Sequence, residues 1–181
     1  MVADAVSDPL VGAFSDATRS KWGRRHPFMY MAALPFALSF YFLFAPIEGL
    51  SETGLFLWLT TFSILTRTFM TFYSVPHLSL GAELSRDYDE RTLLSSLRMI
   101  MQLLGMFAVL IGGPLLFFNA TEHYENGQLN PEAYPPFALT AFWIMVVGVW
   151  ISAIGTHSYI PKLPQAHTDS RFSPLAVASD L

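Results

Sequence analysis

Four stretches of this chain, residues 28–47, 55–80, 94–118 and 137–155, stay apolar for about the length of a bilayer core. A crossing takes about 20 helical residues. Lipid offers no water to exposed peptide groups, so such segments must satisfy their backbone internally, as helices do. Composition agrees: charged residues make up 13% and hydrophobic residues 52%, where a soluble domain carries about 25% charged. The expected fold is therefore all-α, a polytopic membrane helix bundle with the lipid bilayer as its first partner. Zero cysteines exclude a disulfide scaffold, a Cys-ligated zinc and a thiol nucleophile. A net charge of −4 gives no nucleic-acid signature. No HExxH, GxSxG or nucleotide loop occurs in the chain, so no enzyme is expected.

Residues 1–14 are apolar but too short to span alone, and they lack the basic start and cleavage site of a signal peptide. They read as the tail of a helix whose start is missing. At the far end Ser173 and Pro174 look like an N-cap and first helical residue, after which the chain stops. An internal piece of a larger transporter is expected.

Basic residues suggest an orientation. Arg19, Lys21, Arg24 and Arg25 fall in the first loop, Arg86 and Arg91 in the third, and Lys162 and Arg171 in the tail. Loops 48–54 and 119–136 hold no Lys or Arg, only Glu48, Glu52, Glu122, Glu125 and Glu132. The positive-inside rule then places residues 15–27, 84–93 and the C-terminal tail in the cytoplasm. Trp58, Tyr134 and Trp143 lie near the proposed interfaces, as an aromatic belt would.

Against this background the polar residues within the spans stand out. Asp4 and Asp8 are one helical turn apart on one face, and Gly12 continues that face. One carboxylate in an apolar helix costs about 2.5 to 3.5 kcal/mol, so two require a cation, a proton or a partner. Together with Ser7 they offer hard oxygen ligands for Na⁺, or a raised carboxylate pKa that holds a transported proton. A plainer reading makes Asp8 an N-cap with Pro9 as the first helical residue. Farther on, Arg67, Thr71, Ser74 and Leu78 form a stripe at helical spacing. Arg67 would orient an anionic or hydroxylated substrate, or act as a tethered cation, or close an internal salt bridge. Arg98 would line a cavity or snorkel to the interface. His77 would relay protons or, more plainly, pack through a hydrogen bond. The glycosylation triplet at Asn119 hugs a membrane end and is discounted.

The run Asp4-x-x-x-Asp8-Pro9-x-x-Gly12-x-x-x-Asp16-x-Thr18-Arg19-Ser20-x-Trp22-Gly23-Arg24-Arg25-x-Pro27 resembles the second helix and following loop of the glycoside–pentoside–hexuronide:cation symporters. These are the melibiose-carrier-like branch of the major facilitator superfamily. Val75-Pro76-x-x-Ser79-Leu80, Asp89-Glu90-Arg91-Thr92 with Ser95-x-x-Arg98, and Gly155-Thr156-His157 with Ile160-Pro161 are similar to later parts of the same half. The resemblance implies that residues 1–158 are helices 2 (partial) to 6 of the N-terminal six-helix half of a major facilitator fold. Residues 159–181 would be a truncated cytoplasmic linker. The first helix and the C-terminal six-helix half would be missing.

The same resemblance implies roles. Asp4, Asp8 and Thr71 would bind the coupling cation, Na⁺ or H⁺, with no other cofactor. Arg98 would contribute to the substrate site. Gly12, Asp16, Arg19, Gly23, Arg24 and Arg25 would form the gating loop, and an aspartate beside cations makes a breakable ionic latch. The departures fall at the substrate face. Ser74 stands where sugar carriers of the family place an aspartate, Met70 replaces a tyrosine, Leu78 a tryptophan, and Arg67 occupies a position that is small in the melibiose carrier. The expected activity is cation-coupled symport of a sugar or related glycoside across the inner membrane by alternating access. The alternatives are a carrier of a non-sugar amphipathic or anionic substrate, and an uncoupled facilitator or sensor.

Overall fold

The computed structural model describes residues 2–18, 20, 22–84 and 87–162. Five α-helices follow one another: α1 (Val2–Ala17), α2 (His26–Phe44), α3 (Glu52–Glu83), α4 (Tyr88–Leu116) and α5 (Tyr134–Gly155). Short 3₁₀ turns lie at Gly127–Leu129, Pro131–Ala133 and His157–Lys162. Among the described residues there is no strand, as the composition required. The four apolar stretches become four helices long and apolar enough to cross a membrane, and the chain is a multi-pass membrane protein by that measure.

Helix ends follow local chemistry rather than hydropathy. The Ser51 side chain accepts the Gly54 N–H and starts α3, and the Asp87 carboxylate accepts the N–H groups of Asp89 and Glu90 and starts α4. Both helices therefore begin earlier than their apolar runs. On the other side, α2 stops at Phe44, short of residue 47, because Ala45 precedes Pro46 and the turn at Gly49 takes a positive φ of 81°. Helix α1 runs through Pro9 without interruption, which overturns the plainer reading of Asp8 as an N-cap. Pro35, Pro76 and Pro114 likewise sit inside helices.

Helix α2 is the centre of the packing and contacts α3 on one side and α5 on the other. It does so with small side chains: Ala32, Ala33 and Ala37 are buried, and Ala138 and Ala153 of α5 are fully buried opposite. Without a hydrophobic drive in lipid, close backbone approach supplies the dispersion that holds such helices together. At one end Met29, Leu80 and Ala153 form a small core flanked by Tyr30 and Tyr73. At the other, Phe44 stacks on Tyr134 at 6.2 Å and meets Phe137 edge-on at 6.1 Å. The Trp58 indole donates to the Phe42 carbonyl at 2.7 Å, which fixes α3 against α2.

Helix α4 stands apart. Gly113 is its one buried residue among those described; α4 touches α3, and just past its end Phe117 and Phe118 pack on Phe137 and Tyr134. The loop beyond is pressed onto this cluster at Gly127, where an added Cβ would fall on the carbonyl of Phe118. Gly127→Ala should therefore lower the thermal midpoint of the protein in detergent by several degrees, about 1–3 kcal/mol of overpacking. Gly148→Ala, which meets open space, should leave it unchanged in the same differential scanning assay.

Candidate functional site: an ionic latch below a polar helix interface

The chain segment between α1 and α2 closes on the end of α3. Gly23 turns there with φ 80° and its N–H bonds the Ser20 carbonyl at 3.1 Å. This turn sends Arg24 and Arg25 toward α3. Both guanidinium groups donate to one oxygen, Glu83 Oε1, each at 3.0 Å. The Arg25 side chain is 9% exposed and that of Arg24 is 20% exposed, so the shared carboxylate is only partly screened by water. Charge-assisted bonds of this length are among the stronger contacts a protein makes.

The sequence names Gly23, Arg24 and Arg25 for a gating loop with Asp16 as the carboxylate, and Glu83, the acid that the arginines meet here, is not among its candidates. A signal was present: Glu83 is the sole acidic residue between Glu52 and Asp87, and a lone carboxylate at the end of an apolar helix needs a cation. Arg19 and the side chain of Asp16 lie outside the described residues. The same holds for the side chains of Asp4 and Ser7.

Higher in the bundle, α1 packs along α3. The two helices run parallel, because each ends beside the Arg24–Arg25 loop. A methyl group at Gly12 would sit 3.7 Å from Val75 Cγ1, which sets the register between them. Carried back by one turn and by two along both helices, that single contact predicts position 8 level with Thr71 and position 4 level with Arg67. Thr71 is buried at 6% exposure, whereas Asp8 and Arg67 are exposed. Ser74 is half-buried and Met70 exposed on the same helix. Arg98 is exposed on α4. His77 itself bonds the Ser152 hydroxyl through Nδ1 at 3.2 Å and stacks on Tyr73 at 5.2 Å. Those two contacts give it the packing role rather than an open relay position.

A bundle of bilayer-length helices with an ionic latch at its end is the build of a polytopic membrane protein. Comparison with known proteins agrees and goes further. Residues 1–180 match the model of the family described as MFS/sugar transport protein, and the chain belongs to that family, which comprises transporters and not enzymes. An uncharacterized symporter of Synechocystis is 36% identical over 121 residues, 64% of this chain and 21% of the relative. The sodium-dependent lysophosphatidylcholine symporter 1 of Gallus gallus is 32% identical over 136 residues, 74% of this chain and 24% of the relative. The lactose permease of Lactobacillus delbrueckii subsp. bulgaricus is 27% identical over 174 residues, 92% of this chain and 27% of the relative. The chain thus matches between 21% and 27% of the length of these relatives.

Because one carboxylate serves two arginines, Glu83→Gln should weaken the latch more than either arginine replacement alone. The expected loss is about 1–3 kcal/mol of stability, between the values for exposed and fully buried pairs. Arg25→Gln should cost more than Arg24→Gln, since Arg25 is the more buried. Thermal unfolding of the purified single and double variants reads both differences, and the double variants should cost less than the sum.

Proposed function

We propose that the protein is a cation-coupled symporter, moving a sugar or related glycoside by alternating access. The single observation that supports the reading is the contact of Gly12 with Val75, from which we infer that positions 4 and 8 lie level with Arg67 and Thr71. A cation, Na⁺ or H⁺, is held by Asp4, Asp8, Ser7 and Thr71; as Na⁺ it takes the oxygens of Asp4, Asp8 and Thr71, the hard donors that ion prefers. Substrate is held against Arg98, Ser74, Arg67 and Met70. Two carboxylates one helical turn apart repel each other when both are ionised, so a bound cation stabilises the pair. Substrate and cation then tighten each other by the same factor. The Gly12, Asp16, Arg19, Gly23, Arg24 and Arg25 segment, latched to Glu83, opens and closes on the cytoplasmic side of the inner membrane while two helical halves rock about the central site.

A second substrate class is supported by a relative whose name specifies lysophosphatidylcholine, together with the replacement of the aspartate of sugar carriers by Ser74. Under that reading Arg67 and Arg98 meet an anionic phosphate and the apolar neighbours Met70 and Leu78 meet the acyl chain.

Uptake into proteoliposomes tests the coupling. Asp8→Asn in the intact protein should abolish Na⁺- or H⁺-driven accumulation while leaving substrate exchange in place, and unchanged accumulation refutes the proposal. Thr71→Val removes one neutral oxygen ligand and should raise the cation concentration for half-maximal uptake about tenfold, the equivalent of roughly 1.4 kcal/mol. A panel of galactosides, glucuronides and lysophospholipids as competitors separates the two substrate classes.

A further inference from the structure

Beside the latch, a second contact joins the same turn to the end of α5. His26, the first residue of α2, is 1% exposed. Its Nε2 lies 3.1 Å from the Thr156 hydroxyl. That hydroxyl has one hydrogen, which it donates back to its own helix, to the carbonyl of Ser152 at 2.9 Å. With that hydrogen turned to the carbonyl of Ser152 or of Ala153, Thr156 Oγ1 accepts from His26, an arrangement that puts the proton on Nε2 and leaves Nδ1 a bare lone pair. Nδ1 is buried and has no hydrogen-bond partner among the described residues. It faces the Gly23 turn: a methyl group built at Gly23 would lie 3.7 Å from it and 3.3 Å from Ile160 Cγ2.

The 3₁₀ segment His157–Lys162 completes the enclosure. The His157 ring is 5.7 Å from that of His26, and its Nδ1 is 3.3 Å from the Tyr30 hydroxyl. Trp22 packs edge-on against Tyr30 at 5.9 Å. The titratable and charged groups on the elements packed about His26 are Arg24 and Arg25 with Glu83 at the latch, His157, Tyr159 and Lys162 in the 3₁₀ segment, and Tyr30 on its own helix; the His157 and Tyr30 rings lie 5.7 Å and 6.4 Å from its own. The one carboxylate among them, Glu83, is engaged by two arginines. A second proton on His26 would put a cation in a closed seat, 5.7 Å from another imidazole, with no acceptor at Nδ1 among the described residues. Burial without a partner is costly for a charge.

We propose that this seat is a proton-sensitive clasp: neutral His26 holds the His157–Lys162 segment against the Arg24–Arg25–Glu83 latch, and protonation of His26 releases it. The sign follows from linkage. The docked state holds only the neutral ring, whereas a released His26 takes up a proton near its ordinary pKa of about 6.5. Docking is therefore complete at higher pH and weakens as the pH falls through that range, by at most about tenfold per unit for one proton. The clasp adds to the latch reading a route by which acidity on one side of the membrane loosens the segment that follows α5.

Accessibility of a cysteine tests the contact without any transport measurement, so its failure is distinct from a failure of the Asp8→Asn experiment. Ile160→Cys is placed in the intact protein with any other cysteines replaced, reconstituted in nanodiscs and labelled with a maleimide. Ser158→Cys, at an exposed position, normalises the intrinsic pH dependence of the reagent. The normalised rate at position 160 should rise at least threefold between pH 8 and pH 5.5. His26→Gln keeps an amide donor for Thr156 but cannot be protonated, and should hold the rate low at both pH values. Thr156→Val removes the acceptor and should raise the rate at pH 8 at least threefold. A normalised rate that ignores pH in the parent, a pH dependence that survives His26→Gln, or a Thr156→Val rate equal to the parent's each overturns the clasp.

Discussion

Close approach of small residues along α2 is the constraint on which the rest of the structure depends. Ala32, Ala33 and Ala37 let α3 and α5 come in from both sides, and every polar arrangement described above inherits its position from that packing. The Met29–Leu80–Ala153 core joins all three helices. It lies directly beneath the loop that carries Arg24, Arg25 and His26. A larger side chain at the alanines would push α3 away from α5, and with it the His77–Ser152 bond and the seat of Glu83. In lipid there is no hydrophobic drive to recover such a loss, so contact area won by small side chains has to do the work.

The two ends of the bundle are built differently. One end is aromatic: Phe44, Phe117, Phe118, Tyr134 and Phe137 pack as a cluster that also anchors α4. The other end is ionic and polar, with two arginines on one carboxylate and a histidine on a threonine hydroxyl. Aromatic contacts are insensitive to charge state, whereas ion pairs and a buried imidazole respond to protons and to movement of either partner. That asymmetry leaves one end of the bundle indifferent to charge and the other responsive to it.

How much was legible in the residues depends on the range of the interaction. The helix count and type follow from hydropathy alone, because backbone satisfaction in lipid leaves no other choice. The Gly23 turn and the arginine pair were visible as local pattern. Glu83 was not, since it is 59 residues from Arg24 and nothing local to either says that they meet. His26 and Thr156 are 130 residues apart and were missed for the same reason. The plainer reading of Asp8 and Pro9 failed because proline is tolerated inside membrane helices, where neighbouring groups satisfy the freed carbonyl.

The chain by itself determined that it is a helical membrane protein, which stretches span, and which polar residues carry a cost that some function must justify. Those are properties of composition and of periodicity along one element. Tertiary packing alone decided that two arginines share one carboxylate oxygen, that His77 is tied to Ser152, and that His26 is closed over by the segment after α5. Each of these joins elements whose separation in sequence carries no local trace, and only the mutual approach of the helices brings them within bonding distance.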